Sequence, residues 1–177
     1  AGPDTDTPIR LVQGNIDQAE KWRPGQAMAQ LERYRSLSGQ PGTTATPRLV
    51  FWPEAAIIEP LDADPALRRR AASVLGPRDL LFTGATGEVE GGRYSNSVFV
   101  LDAAGRILGR YDKAQLVPFG EYLPLAELLE RFGAARLVPG EADFVPGPGP
   151  QTLDIGGLGL GVSICYEIVF PSTVVDR

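Results

Sequence analysis

Leu49-Val50-Phe51-Trp52-Pro53-Glu54 decides the fold class. Four apolar residues in a row, without polar alternation, describe a strand buried on both faces, the habit of parallel strands in α/β proteins. Pro53 has no amide hydrogen for a ladder and stops the strand. The next residue is a carboxylate, Glu54. Downstream, Ala66 to Leu75 predicts a helix that stops before Gly76-Pro77, and Leu80-Leu81-Phe82-Thr83-Gly84 a second buried strand. Upstream, Ile9 to Gln13 predicts a short strand closed by Gly14-Asn15. Gly25 to Leu37 predicts a helix with Ala27, Met28, Leu31, Tyr34 and Leu37 on one face. Gly39 to Pro47 is a surface loop.

Further along, Tyr94 to Leu101 and Arg106 to Tyr111 predict a hairpin turning at Asp102 to Gly105. Leu125 to Phe132 is a short helix after Pro124, and Gly140 to Pro150 is loop. Gly157 to Tyr166 is a glycine-punctuated strand running into Cys165. Strands alternating with helices, plus a hairpin, give α/β with a mixed sheet. Residues 1–8 read as a polar linker and 9–177 as one domain, with no repeat or internal boundary.

Composition narrows the chemistry. The chain has 177 residues and a formal net charge of −5. Its one basic cluster, Arg68-Arg69-Arg70, reads as the solvated face of a helix, so no nucleic-acid partner is expected. No apolar run reaches the roughly 18 residues that span a bilayer. The single cysteine excludes an internal disulfide, and the absence of histidine excludes Ser-His-Asp, Cys-His and His-ligated metal sites. Proton transfer falls to a carboxylate, a lysine, a tyrosine or the thiol.

Glu54, Lys113 and Cys165 each follow a predicted strand, and in α/β sheets sites form outside the carboxyl ends of strands. A thiol nucleophile needs a base and a positive charge, which Glu54 and Lys113 supply. Taken singly, each has a plainer reading: Cys165 as a small buried hydrophobe, Glu54 as a turn residue, Lys113 as an exposed surface charge.

The segments around them remove that plainness. Phe51-Trp52-Pro53-Glu54-Ala55, Tyr111-Asp112-Lys113 and Ile164-Cys165-Tyr166-Glu167 resemble the three catalytic segments of the nitrilase superfamily, in that superfamily's order of Glu, Lys, Cys. Val12-Gln13-Gly14-Asn15-Ile16, Lys21-Trp22, Leu116 to Pro124 and Cys165 to Pro171 look more narrowly like the apolipoprotein N-acyltransferase family.

The resemblance implies a nitrilase-like α-β-β-α sandwich with mixed sheets. It implies an N-acyltransferase needing no cofactor and no metal. The acyl donor is a membrane phospholipid, the intermediate a thioester on Cys165, and the acceptor the α-amine of an apolipoprotein's diacylglyceryl-cysteine. Glu54 is then general base and Lys113 the oxyanion stabiliser. Glu121, Tyr166, Glu167, Trp22 and Asn96 are supporting residues, with Trp22 lining an acyl pocket. Glu121 has a plainer reading as a loop-ordering residue, and Glu167 as a partner for Lys113. A catalytic Cys165 is expected to be partly ionised near neutral pH.

The family places this domain on the periplasmic side of the bacterial inner membrane, beside a multi-helix membrane domain. It also continues well past its cysteine, whereas this chain ends 12 residues after Cys165. The domain is therefore expected to be truncated at its carboxyl end. Two rival readings stand: a soluble nitrilase-type amidase using the same three residues with water as acceptor, and a non-catalytic fold fragment with a structural cysteine.

Overall fold

The computed structural model describes residues 6–117, 121 and 144–170. The short strand β1 (Ile9–Leu11) pairs in parallel with β2 (Leu49–Phe51), the run that set the fold class. A break follows, then β3 (Ile57–Pro60). β4 (Leu80–Val89) runs parallel to β2 along its first half and to β3 further on. β5 (Arg93–Leu101) and β6 (Ile107–Asp112) add antiparallel, completing a six-stranded mixed sheet.

The register explains the absence of alternation in Leu49 to Trp52, because both faces of the sheet are covered. Val50, Leu81 and Phe99 face the helical side and are fully buried. They meet Leu31 and Tyr34 of α2 (Ala27–Leu37) and Leu67 and Ala71 of α3 (Pro65–Ala72). The other face carries Phe51 and Phe82, register partners whose rings stack at 4.6 Å. Phe82 and Val100 pack with Ile155 of a second, two-stranded sheet, β7 (Thr152–Ile155) with β8 (Leu158–Gly161). Gly109 lets this hairpin sit close: a Cβ there would lie 2.8 Å from Ile155 Cδ1.

The helix starts and stops have local causes. Asp64 caps α3, its carboxylate accepting from Ala66 N and Leu67 N at 2.8 and 3.0 Å, with Pro65 opening the first turn. Asp102 accepts from Ala104 N and Arg106 N in the β5–β6 turn, where Gly105 takes φ +75°. At the amino ends of β2 and β4, buried Asp79 accepts from Gly42 N, Arg48 N and Gly76 N and pairs with Arg48 Nε at 3.0 Å. Burial pushes this carboxyl upward, but those bonds outweigh it and its pKa lies below the usual carboxylate range.

Several expectations are corrected. The helix predicted to Leu75 ends at Ala72, and Met28 and Leu37, placed on the buried face of α2, are exposed. Arg68 is not simply solvated: it donates to Leu61 O, Asp62 O and Gly105 O and staples α3 to two turns. The strand predicted from Gly157 into Cys165 ends at Gly161, and Cys165 instead opens a 3-10 turn (Cys165–Val169). β3, β7 and the second half of β4 carry no run long or apolar enough to be read from sequence. The helix predicted over Leu125 to Phe132 lies outside the described residues. No helix among the described residues is long and apolar enough to cross a membrane.

Candidate active site

Glu54 occupies the turn that separates β2 from β3. Ala56 N donates to Pro53 O at 3.2 Å, and Ala55 takes φ +48°. A left-handed residue with a Cβ costs about 1–2 kcal/mol, so the turn is held from outside. β4 holds it at Gly84, where a Cβ would fall 2.6 Å from both Glu54 Cα and Pro53 O. Only glycine lets the strand come this close.

Lys113 follows β6 directly. Its amide donates to Asn96 O at 2.9 Å, and its side chain is 2% exposed, which overturns the plain reading of a surface charge. Its ammonium lies 3.2 Å from Glu54 Oε1 and 3.0 Å from Glu121 Oε2. Asn96, on β5, donates from Nδ2 to Glu54 Oε1 and to Glu121 Oε1, 2.7 Å each. One amide and one ammonium therefore bridge two carboxylates. Glu121 is itself fixed, accepting from Val117 N at Oε2 (2.9 Å) while its carbonyl accepts from Phe144 N. It both orders the loop and faces the ammonium.

The electrostatics follow from this packing. Burial pushes the Glu54 carboxyl upward, but the Lys113 charge and the bonds from Asn96 and Lys113 outweigh it, holding the group ionised. Burial works against the Lys113 cation too, and the charges of Glu54 and Glu121 outweigh it, raising its pKa.

Cys165 adopts φ +51° and is exposed, unlike a structural cysteine. Its thiol neighbours the Glu54 carboxylate: both line one cavity, and each shifts the other's ionisation. Burial of the sulfur, then the Glu54 charge, push the thiol pKa up, with Lys113 opposing. This shift runs against the partial ionisation expected of Cys165. The two shifts favour a protonated thiol beside an ionised carboxylate at rest. A cavity of about 300 Å³ opens beside it, lined by Glu54 and Cys165 together with Phe51, Phe82, Val98 and Leu160.

Glu167 is 2% exposed and does not touch Lys113. It accepts from Tyr111 Oη, Ala114 N and Gln115 N at 2.9, 2.7 and 3.0 Å, and from Ile164 N at 2.8 Å. It joins the Cys165 turn to the segment carrying Lys113. Tyr166 is exposed, its ring edge-on to Phe170 at 5.1 Å. Trp22 is not among the residues lining the cavity, and its Nε1 is buried without a hydrogen-bond partner. Sequence reasoning missed the structural work of Lys21 and Tyr111. Both sit inside quoted motifs, Lys21-Trp22 and Tyr111-Asp112-Lys113, so adjacency to those motifs was the available signal.

The sequence profile described as carbon-nitrogen hydrolase matches residues 9–176. The chain belongs to the carbon-nitrogen hydrolase family. Among solved structures of this fold, a carbon-nitrogen hydrolase from Helicobacter pylori G27 superposes with TM-score 0.60 at 17% identity, covering 94% of this chain and 53% of that one. A mutant amidase from Nesterenkonia sp. AN1 superposes at 0.56 with 20% identity, covering 94% and 58%. That structure shows the acetamide moiety of fluoroacetamide added covalently at its active-site cysteine. Within the carbon-nitrogen hydrolases, sequence similarity runs to the apolipoprotein N-acyltransferases. The Allorhizobium ampelinum protein is 35% identical over 175 residues, 94% of this chain, and the Geobacter metallireducens protein 38% over 170 residues, 92%. The chain spans about a third of the length of these relatives, 33% and 32%.

Proposed function

We propose that this chain carries the catalytic centre of an apolipoprotein N-acyltransferase on the periplasmic side of the bacterial inner membrane. Phospholipid is the acyl donor and the α-amine of an N-terminal diacylglyceryl-cysteine the acceptor. The observation that carries the chemistry is the Cys165 thiol sharing a cavity with Glu54, whose carboxylate lies 3.2 Å from the buried Lys113 ammonium. The names of the relatives support the choice of donor and acceptor.

In the first half-reaction Cys165 Sγ attacks the ester carbonyl carbon while Glu54 takes the thiol proton. The carbonyl oxygen becomes an oxyanion that accepts from Lys113 Nζ. The C–O bond to glycerol breaks, and the leaving alkoxide takes the proton from Glu54. A thioester and a lysophospholipid result. In the second half-reaction the acceptor amine attacks the thioester carbonyl and loses its proton to Glu54. The C–S bond breaks, the thiolate recovers that proton, and the product is an amide. Supporting roles fall to Asn96 and Glu121, which hold Glu54 and Lys113, and to Glu167, which holds the Cys165 turn. Tyr166, exposed next to Cys165, is assigned to substrate contact, and Trp22, off the cavity wall, to packing.

The test uses the full-length enzyme with a phospholipid labelled in one acyl chain and a diacylglyceryl-cysteine peptide. Label in an amide on the peptide supports the reading. Label released as free fatty acid, with none on the peptide, makes the protein a hydrolase.

A further inference from the structure

The site holds two carboxylates, Glu54 and Glu121, and Lys113 faces both. One ammonium between two carboxylates leaves the resting pocket one charge short, and expelling a thiolate worsens the deficit. A second ammonium is present. Lys21, the last residue of α1 (Gln18–Lys21), reaches across the chain and donates from Nζ to the main-chain carbonyl of Glu54 at 3.0 Å. Its own segment is anchored, because buried Gln30 of α2 donates from Nε2 to Lys21 O at 2.8 Å. Burial lowers the Lys21 pKa while the Glu54 charge raises it. By reciprocity, the Lys21 cation favours ionised Glu54.

The contact also falls where the backbone is least content. Glu54 precedes left-handed Ala55 in a turn wedged against Gly84. The Glu54 carbonyl is thus held from one side by Lys21 and its Cα from the other by β4.

We propose that Lys21 is a positioning residue for the base: it clamps the Glu54 turn and supplies the second positive charge of the site. This rests on Glu54 acting on Cys165, as in the proposed function, but not on the identity of the acyl donor. The charged groups around it are Glu54, Glu121, Lys113 and the Cys165 thiol across the pocket, with the exposed Glu20–Arg23 pair on its own side at 4.0 Å.

The experiment compares wild type, Lys21→Met and Lys21→Arg in the full-length enzyme. Acylation by a p-nitrophenyl ester is followed as nitrophenolate release across pH, with melting temperature measured alongside. The activated ester reports on the Cys165–Glu54 pair whatever the natural donor. Lys21→Met is expected to lower the acylation rate about ten- to a hundredfold, the scale of a small misplacement of a reacting group. KM should change little, the acidic limb should move to higher pH, and Lys21→Arg should restore most of the rate. The proposal is overturned if Lys21→Met acylates at the wild-type rate with the same acidic limb, or if its loss tracks melting temperature and arginine does not restore it. Wild type that acylates from the ester but not from phospholipid removes the donor assignment and leaves the Lys21 test intact. Wild type inert to the ester overturns both.

Discussion

Tyr111 donates its phenolic hydroxyl to Glu167 Oε1 at 2.9 Å, and that bond ties the turn carrying Cys165 to the strand that delivers Lys113. The tyrosine hydroxyl is buried beside this carboxylate, and both effects push its pKa up, so it stays a donor at any working pH. Tyr111→Phe deletes one of four donors to a buried carboxylate, at a cost of about 1–3 kcal/mol. Glu167→Gln replaces an acceptor of four bonds with a group half of which donates, and costs more. Urea denaturation of the two variants checks the order. Acylation should fall in both if Cys165 and Lys113 act as proposed, because the two lose their shared strut.

Glu54→Gln separates the base from its field. Burial and then the Glu54 charge raise the Cys165 pKa and Lys113 lowers it, so removing the charge leaves burial alone as the main opponent of Lys113. The midpoint for iodoacetamide alkylation of Cys165 should therefore move to lower pH in the variant, even as acyl transfer is lost. A midpoint that moves up would mean that Glu54 does not bear on the thiol.

Gly84→Ala tests the wedge. Its Cβ has no room against Glu54 Cα and Pro53 O, both at 2.6 Å, and these are backbone atoms that move only with the turn. Overpacking of this kind costs about 1–3 kcal/mol. Acylation should fall by more than the melting temperature implies, because the atoms displaced carry the base.

The Arg48–Asp79 pair is far from the thiol and bears on stability alone. The folded pKa of Asp79 is depressed below its ordinary value of 3.8. Its contribution is present above that value and lost as pH falls through the folded one. Asp79→Asn leaves Arg48 buried without its counter-charge, a loss of about 3–5 kcal/mol. Denaturation at neutral pH should show that loss. The gap between variant and wild type should narrow as pH falls below about 4, the ordinary range for an aspartate.

The sequence was most legible where residue type and position coincide. The run at Leu49 to Trp52 marked a doubly covered strand, Pro53 marked its end, and Asp102 to Gly105 marked a turn. Glu54 and Lys113 do meet, bridged by Asn96 and Glu121, and Cys165 lines the cavity with Glu54. What stayed illegible depends on tertiary contacts. Nothing local announces that Lys113 is buried, because the carboxylates that pair with it lie 59 residues away at Glu54 and across a loop at Glu121. Leu158 to Ile164 reads as one strand because apolar character persists past the point where pairing ends. Pairing stops at Gly161, and Glu167 then folds back onto Ile164 N to set the turn. Glu167 itself was readable as important but not by role, since its partners Tyr111, Ala114 and Gln115 lie more than 50 residues away.

Intact-mass measurement of the full-length enzyme after brief exposure to labelled phospholipid, without acceptor, tests most directly whether Cys165 carries the acyl chain. The expected result is one added acyl mass, mapped to Cys165, labile to hydroxylamine and absent in Cys165→Ala and Glu54→Gln. An unmodified Cys165 in folded protein, or an adduct that survives in Glu54→Gln at the wild-type rate, would contradict the assignment of nucleophile and base made here.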